Sequence, residues 1–231
     1  MIKAMILSAG YGKRLNPLTL KYPKPLLKIG NQTLLFNTIK FLEKYGVKEI
    51  IINVHFLGYQ IIDYLDKKKF DLKIKIIEEK DKILDTGGGV LNAINYFSNN
   101  PFLIINPDTL WNKNYHDELK LVEKKMNEEK NCKCAMLVVN KNKSFDINLK
   151  GDFNLIDDLI SRNDKKNYQY IYTGLQVINP KVFANCKNKI FSINEIWNKL
   201  IEENKLFGIK SKNTFYHVST LKIYENLKNK F

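Results

Sequence analysis

The chain has 231 residues, of which 44% are hydrophobic and 27% are charged, and its formal net charge is +14. This length and composition fit one globular domain with a sizeable core and exclude a disordered chain. No apolar run approaches the ~18 residues of a membrane helix, and no secretory leader is evident. Three cysteines, an odd number, fit a reducing compartment. We therefore predict a cytoplasmic protein without a membrane partner.

The positive charge is concentrated at the start of the chain. Residues 1–60 hold nine basic and two acidic residues, so an anionic ligand is expected there. A merely solvated basic face is the alternative on charge alone. Only Arg14 and Arg162 among the 38 basic residues are arginines. Because arginine is favoured for contacts to nucleic-acid phosphates and bases, we do not expect a nucleic-acid partner.

Strands and helices alternate in the order that predicts a parallel sheet with crossover helices. In chain order the predicted elements are strand 2–8, helix 34–45, strand 49–54, helix 59–65, strand 72–77, helix 90–97, strand 102–106, helix 116–129, strands 134–139 and 170–178, helix 193–203, strands 207–210 and 215–218, and helix 221–228. The predicted fold class is α/β, with a three-layer, Rossmann-like, mostly parallel sheet in a single domain over residues 1–231. Residues 140–167 are polar and predict an irregular insertion or lid.

A glycine-rich loop, LSAGYGKRL at residues 7–15, follows the first predicted strand. Its small residues let the backbone approach a ligand, and exposed backbone N–H groups in such a turn bind anions. The loop lacks the third glycine of the dinucleotide-binding fingerprint and the Gly-Lys-Ser/Thr of a P-loop. A purely structural glycine turn is the alternative.

A second motif, Pro23-Lys24-Pro25, holds one lysine between two prolines. Each proline fixes its own φ and favours extended geometry in the residue before it, so the Lys24 ammonium stands on a stiff loop. Such a cation suits a phosphate. Taken alone, the motif also fits an ordinary loop.

Together the two motifs resemble the signature of the sugar-1-phosphate nucleotidyltransferases. Further matches lie at Asp85–Gly89, Asn106-Pro107-Asp108, Gly151-Asp152-Phe153, Tyr172–Leu175 and His217–Thr220. The chain most resembles short uridylyltransferases that act on N-acetylmuramate 1-phosphate, and related manno- and heptose-phosphate enzymes. The resemblance implies a glycosyltransferase-A-like nucleotidyltransferase fold.

The resemblance also implies a role for each matching residue. The triphosphate would contact Ala9, Gly10, Gly12, Lys13 and Arg14. Lys24 would offset charge on the α-phosphate, and Gly87 and Gly88 would lie against the base, where a side chain would not fit. Asp108 would hold Mg²⁺, or Mn²⁺ instead, and the sugar would contact Asn106, Asp152 and Gly174. Arg14, Lys24 and Asp108 are the expected catalytic residues.

His217 departs from the family, which usually has a second metal-binding carboxylate at this position. Imidazole is a poor ligand for Mg²⁺ and a better one for transition metals. Four interpretations stay open. Asp108 holds the metal with waters and phosphates, His217 donates to phosphate, the metal differs, or His217 is satisfied by a neighbour. Pro107 also departs, because it removes a backbone N–H.

The expected reaction transfers a nucleotidyl group from a nucleoside triphosphate to a sugar 1-phosphate and releases pyrophosphate. UTP and N-acetylmuramate 1-phosphate are the favoured pair, which would place the enzyme in peptidoglycan recycling for the cell wall. The alternatives are a mannose- or heptose-1-phosphate guanylyltransferase-like enzyme, or a non-catalytic protein that binds nucleotide or sugar phosphate. The base, the sugar and the oligomeric state stay open.

Overall fold

The computed structural model describes residues 2–162 and 167–231. The strands in these residues are β1 (Ala4–Leu7), β2 (Lys28–Ile29), β3 (Gln32–Thr33), β4 (Glu49–Val54), β5 (Lys73–Glu78), β6 (Phe102–Ile105), β7 (Cys134–Asn140), β8 (Asn154–Ile156), β9 (Leu159–Ser161), β10 (Tyr170–Ile178) and β11 (Leu206–Ser211). The α-helices are α1 (Leu34–Tyr45), α2 (Gly58–Asp66), α3 (Asp85–Ala93), α4 (Tyr115–Glu128), α5 (Ile193–Glu202) and α6 (Leu221–Lys230).

A nine-stranded sheet in the order β5-β4-β1-β6-β10-β7-β11-β9-β8 forms the centre of the described structure. The first four strands are parallel to one another. Strand β10 runs antiparallel to both of its neighbours, and β9 runs antiparallel to β11 and β8. Because β7 and β11 are parallel, the strands of this sheet other than β10 and β9 all point in one direction. The predicted α/β class with a mostly parallel sheet is confirmed.

Helices cover both faces of the sheet. Successive residues along the central strands belong alternately to two separate hydrophobic clusters, one on each face. On β1, Ala4 and Ile6 join one cluster together with residues of α1, α2 and α4. Met5, between them, joins the other cluster together with residues of α3 and α5. A third cluster fixes α6 against the loop after β1, through contacts such as those of Leu15 and Leu227. The molecule thus has the predicted three layers.

The structure corrects three details of the predicted elements. Residues 140–167 are not irregular throughout, since β8 and β9 form a hairpin that extends the sheet beyond β11; residues 163–166 lie outside the described part. Segment 215–218 makes isolated bridges instead of a strand. Helix α3 begins at Asp85, five residues before the predicted start, because the glycines of DTGGG adopt helical geometry.

None of the helices in the described residues is both long enough and apolar enough to cross a lipid bilayer.

Candidate active site

A cleft of about 420 Å³ opens at the carboxyl ends of the parallel strands β1 and β6. Ligands of open α/β sheets bind at this edge, outside the carboxyl ends of the strands. The residues that line it are Leu7, Ser8, Ala9, Gly10, Gly12, Lys13, Arg14, Leu15, Lys24, Pro25, Asn53, Ile83, Asp85, Thr86, Asn106, Pro107 and Asp108. The loop after β1 and the Lys24 motif, predicted from separate segments, therefore share one cavity.

The loop after β1 turns at Gly12, whose φ of 64° lies in the left-handed region that favours glycine. The hydroxyl of Thr19 donates to the Gly12 carbonyl at 3.0 Å and holds this turn. Lys13 and Arg14 follow on the rim of the cleft, and both side chains are exposed. Neither forms an ion pair with a carboxylate among the described residues. Their charges are available to an anionic ligand.

Across the cleft, Asp108 follows β6 and carries the main electrostatic contacts of the site. The Lys24 ammonium donates to Asp108 Oδ2, and His217 Nε2 lies 3.1 Å from the same oxygen. Burial alone raises the pKa of Asp108, but the charges of Lys24 and His217 and their hydrogen bonds outweigh it and hold the pKa well below its usual range. The carboxylate therefore stays ionised throughout the neutral range.

Two polar atoms of this cluster have no hydrogen-bond partner among the described residues. They are Asp108 Oδ1 and His217 Nδ1, and both are buried. A buried carboxylate oxygen without a donor fits a divalent cation, which takes carboxylate, phosphate and water oxygens. The described residues contain no group of three or more His, Cys, Asp or Glu side chains that could hold a metal alone. A cation at Asp108 would therefore need substrate oxygens or waters as further ligands.

The segment around His217 is fixed by the chain on both sides of it. The Val218 N–H donates to the Asp108 carbonyl at 2.8 Å, and the buried Ser219 hydroxyl donates to Asp146. The His217 ring stacks on Phe215, with ring centroids 5.5 Å apart. These contacts hold the imidazole beside Asp108, although the two residues lie 109 positions apart in the sequence.

The predicted sugar-binding residues occupy different surroundings. Asn106 lines the cleft, and its N–H donates to the Gly174 carbonyl at 2.7 Å. Gly174 has a φ of 91°, and a Cβ there would lie 2.9 Å from the Asn106 Cβ, so the close approach of the two strands requires glycine. Asp152 and Gly174 themselves do not line the cleft.

Asp152 and Arg162 are neighbours on the side of β10. Asp152 Oδ2 accepts from the Tyr172 N–H at 2.9 Å, and the Arg162 guanidinium donates to Asn194 and Asn198 at 2.6 Å each. The Asp152 side chain reaches solvent, but the surrounding protein removes part of its hydration, and this desolvation raises its pKa. The Tyr172 N–H and the charge of Arg162 oppose the shift without cancelling it. Arg162 carries no motif in the sequence that would have marked it as part of this cluster.

The structure gives Gly87 and Gly88 a packing role that the sequence analysis did not foresee. A Cβ on Gly87 would lie 2.4 Å from the Phe191 ring, and a Cβ on Gly88 would lie 2.2 Å from the Lys189 carbonyl oxygen. Both N–H groups donate to the Phe191 carbonyl at 3.0 Å. The segment before α5 by itself leaves no room for a side chain at either glycine, and neither glycine lines the cleft. Their contact with the base stays a prediction.

A buried polar network connects two walls of the cleft and was missed from the sequence. Asn53, near the end of β4, accepts from the Ser8 N–H at 3.0 Å and donates to Glu79 at 2.7 Å. Glu79 then accepts from the Leu84 N–H at 2.8 Å, just before Asp85 and the start of α3. The available signal was Asn53 itself, a lone polar residue in the apolar run of β4.

Comparison with known families identifies this arrangement. The nucleotidyl transferase family matches residues 3–215. The chain belongs to this family. The resemblance inferred from the motifs is thereby confirmed.

Individual proteins that are similar in sequence are consistent with this family match. N-acetylmuramate alpha-1-phosphate uridylyltransferase of Caulobacter vibrioides is 26% identical over 220 residues, covering 93% of this chain and 90% of the relative. The mannose-1-phosphate guanylyltransferase catalytic subunit beta of Danio rerio is 27% identical over 218 residues, but the match spans only 59% of that protein. These relatives are sugar-phosphate nucleotidyltransferases, and the prediction of an enzyme of this class is confirmed.

The fold is shared with solved structures. HddC of Yersinia pseudotuberculosis, solved in complex with GMP-PN, superposes with a TM-score of 0.79 over the whole of both chains, at 22% identity. At this identity the likeness concerns the fold.

Proposed function

We propose that this enzyme transfers the nucleotidyl group of UTP to N-acetylmuramate 1-phosphate or a closely related sugar 1-phosphate. The observation that carries the proposal is the composition of one cleft. This cleft brings together a glycine turn, the exposed cations Lys13 and Arg14, an ionised Asp108 and the Lys24 ammonium. The full-length match to an N-acetylmuramate uridylyltransferase supports this substrate pair.

In the proposed reaction an oxygen of the sugar phosphate attacks the α-phosphorus of the triphosphate in line. A new P–O bond forms, the bond from the α-phosphorus to the bridging oxygen breaks, and pyrophosphate leaves with the electron pair. Backbone N–H groups from Ala9 to Gly12 and the side chains of Lys13 and Arg14 bind the triphosphate. Lys24 stabilises the charge that develops on the α-phosphate. Such catalysis consists mainly of positioning and charge stabilisation.

A divalent cation fits beside Asp108, whose Oδ1 has no hydrogen-bond partner in the described structure. When bound, the cation would neutralise phosphate charge. In its absence Lys24 and His217 keep the carboxylate ionised and oriented toward the cleft. Asn106, Asp152 and Gly174 remain our candidates for contact with the sugar.

A guanylyltransferase acting on mannose or heptose 1-phosphate is the second candidate. It is favoured by the mannose-1-phosphate guanylyltransferases among the relatives. Because those proteins extend well beyond the matched region, the uridylyltransferase has priority.

Pyrophosphate release tests both candidates in one experiment. The purified protein is mixed with each of four nucleoside triphosphates, with Mg²⁺ or Mn²⁺, and with a panel of sugar 1-phosphates. We expect the fastest release with UTP and N-acetylmuramate 1-phosphate, whereas fastest release with GTP and mannose 1-phosphate would favour the second candidate. Asp108→Asn should abolish most of the release.

The same assay separates an enzyme from a non-catalytic binding protein. If no pair gives release while calorimetry still detects nucleotide binding, the transfer reaction is refuted. A protein that binds nucleotide or sugar phosphate without turnover would then remain.

A further inference from the structure

Asp85 combines an unusual backbone conformation with a place in the wall of the cleft. It lines the cleft at the start of α3, and its φ of 59° lies in the left-handed region, which few residues other than glycine adopt. Aspartate tolerates this conformation better than most side chains, but the backbone is still strained. Residues strained in this way cluster at ligand-binding sites. The backbone at Asp85 therefore has the property expected of a residue that contacts a ligand.

Contacts on both sides of Asp85 hold this conformation. The N–H of Leu84 donates to the buried carboxylate of Glu79 at 2.8 Å. On the other side, the Thr86 hydroxyl oxygen accepts from the Ile193 N–H at 3.0 Å, which connects the first turn of α3 to the start of α5. Because both neighbours are fixed, the Asp85 side chain is held in place before any ligand binds.

The Asp85 carboxylate has an oxygen without a partner. Oδ1 accepts from the Thr86 N–H at 2.6 Å and so serves the first turn of α3. In residues 2–162 and 167–231 no donor bonds to Oδ2, and no lysine, arginine or histidine forms an ion pair with the carboxylate. Because Asp85 is exposed and lines the cleft, a ligand that donates an N–H or O–H can reach this oxygen.

The order of the strands places Asp85 and Asp108 at opposite ends of the cleft. Asp85 follows β5 and Asp108 follows β6, and the strands β4 and β1 lie between them in the sheet. Three strand spacings amount to roughly 14 Å, which is comparable with the length of an extended nucleotide. Lys24 contacts Asp108. With the α-phosphate beside Lys24, as in the proposed function, the base reaches the end that holds Asp85.

The other residues at this end of the cleft are uncharged. They are Asn53 near the end of β4, and Ile83 and Thr86 in the segment that contains Asp85. Ser8, directly after β1, also lines the cleft, and its buried hydroxyl oxygen has no hydrogen-bond partner in the part of the chain that the structure describes. None of these residues carries the positive charge that suits a phosphate, whereas a base offers donors and acceptors to such groups.

The hydrogen-bonding edges of the four bases differ in what they offer to a carboxylate. An ionised carboxylate only accepts hydrogen bonds. Uracil and guanine carry a ring N–H on this edge, whereas the corresponding ring nitrogen of cytosine and adenine presents a lone pair. The carboxylate attracts the first group and repels the second, so one acceptor at a fixed position separates the bases into two classes.

We propose that the Asp85 carboxylate accepts a hydrogen bond from the ring N–H of the base, and so selects uracil and guanine over cytosine and adenine. The proposal rests on the proposed function, because its ligand is the nucleoside triphosphate of that reaction. It adds a charged side chain to base recognition, for which the sequence resemblance implied only Gly87 and Gly88. The contact does not separate uracil from guanine, so it is compatible with both candidate reactions.

Calorimetry on the full chain, with Mg²⁺ and without sugar phosphate, tests the contact through nucleotide binding alone. The probes are UTP and 3-methyl-UTP, in which a methyl group replaces the proton of the ring N–H. We expect UTP to bind about tenfold more tightly or better, because the methylated base leaves a charged acceptor unpaired. In Asp85→Gly this ratio should fall about tenfold. The variant should fold, because glycine readily adopts a φ of 59°.

A second variant and a matched control separate the contact from a loss of bulk or of charge. Asp85→Asn keeps the shape of the side chain, and its amide can turn a donor toward cytosine, so the preference for UTP over CTP should fall about tenfold. Asp81→Asn removes an exposed carboxylate that lies four residues earlier and does not line the cleft. This control should leave both ratios unchanged.

Three results would overturn the proposal: equal binding of UTP and 3-methyl-UTP by the unmodified protein, an unchanged ratio in Asp85→Gly, or tighter binding of CTP than of UTP. The first and third need no variant. If the Asp85→Gly ratio is unchanged but the preference for UTP over 2′-deoxy-UTP is lost, the carboxylate contacts the ribose instead. If the protein binds GTP in place of UTP, 1-methyl-GTP and ATP replace 3-methyl-UTP and CTP in the same comparisons.

Pyrophosphate release, measured on the same preparation, keeps the two proposals apart. Turnover with an unchanged ratio in Asp85→Gly refutes only the role of Asp85. The expected ratios without turnover on any sugar 1-phosphate refute only the transfer reaction. A protein that binds none of the four nucleoside triphosphates refutes both.

Discussion

The two halves of the sheet build the site by different means. Every residue that lines the cleft belongs to the first 108 residues and lies in, or in the segments after, the parallel strands β1, β4, β5 and β6. The later candidates Asp152, Gly174 and His217 come from the half that contains β10, β7 and β11, where strand directions are mixed. His217 is the one among them that reaches Asp108.

The two halves differ in how far apart in the sequence the residues lie that together form each part of the site. On the parallel half, a short segment at each strand end supplies backbone N–H groups or one charged side chain, so a motif of a few residues describes its own contribution. On the other half, the contacts depend on distant partners, as Asp152 does on Tyr172 and His217 does on Phe215 and Asp108.

The largest effect is expected where the cleft chemistry depends on one charge. Lys24→Ala removes the cation beside Asp108 and the α-phosphate, and should lower kcat/KM for pyrophosphate release by about 10²–10³-fold. Lys21→Ala is the matched control, since Lys21 is an exposed lysine three residues earlier that does not line the cleft. Equal losses in both variants would show that general positive charge, not this position, matters.

Gly88→Ala separates packing from ligand contact on the parallel half. The new methyl group would meet the Lys189 carbonyl oxygen at 2.2 Å, so the free energy of unfolding should fall by about 1–3 kcal/mol in a denaturant titration. Asn92→Ala, at an exposed position of the same helix, should leave it nearly unchanged. An unaltered stability in Gly88→Ala would mean that segment 189–191 does not rest on α3 in solution.

Gly10→Ala should have the opposite effects, with stability nearly unchanged and binding of the triphosphate weakened. A Cβ at Gly10 meets nothing within 4 Å, and the residue lines the cleft. The free energy of unfolding should therefore change by less than about 0.5 kcal/mol, while the methyl group hinders the triphosphate and raises its KM about tenfold. An unchanged KM would remove this part of the loop from the nucleotide site.

Asp152→Asn is expected to have the smallest effect on stability. It tests the half of the sheet that contains β10, β7 and β11. Because the folded protein raises the pKa of Asp152, its ionised form weakens folding as the pH rises through the range between the unfolded and folded pKa values. Asparagine keeps an acceptor for the Tyr172 N–H and carries no charge. Near neutral pH the variant should be as stable as the parent or slightly more stable, within about 0.5 kcal/mol. This difference should shrink when the pH falls below the usual carboxyl pKa.

The activity of the same variant decides the role of Asp152. A raised KM for the sugar 1-phosphate with an unchanged KM for the nucleotide would support contact with the sugar. Unchanged kinetics for both substrates would leave Asp152 with a structural role only.

The sequence alone determined the α/β class, the family and the parts of the site that each act through one short segment. The turn at Gly12, the Lys24 ammonium and the Asp108 carboxylate could be predicted because glycine conformation, proline stiffness and position after an apolar strand are local properties. Their contacts with substrate stay predictions. Helix bounds such as those of α1 and strand β4 followed from periodicity for the same reason.

Only the tertiary structure decided which distant residues meet. It placed His217 on the same oxygen as Lys24, packed Gly87 and Gly88 against the segment before α5, and extended the sheet with the hairpin of β8 and β9. It also connected Ser8 to the start of α3 through Asn53 and Glu79. These contacts join residues far apart in the chain, and their geometry is set by close packing of the whole core, which no local pattern encodes.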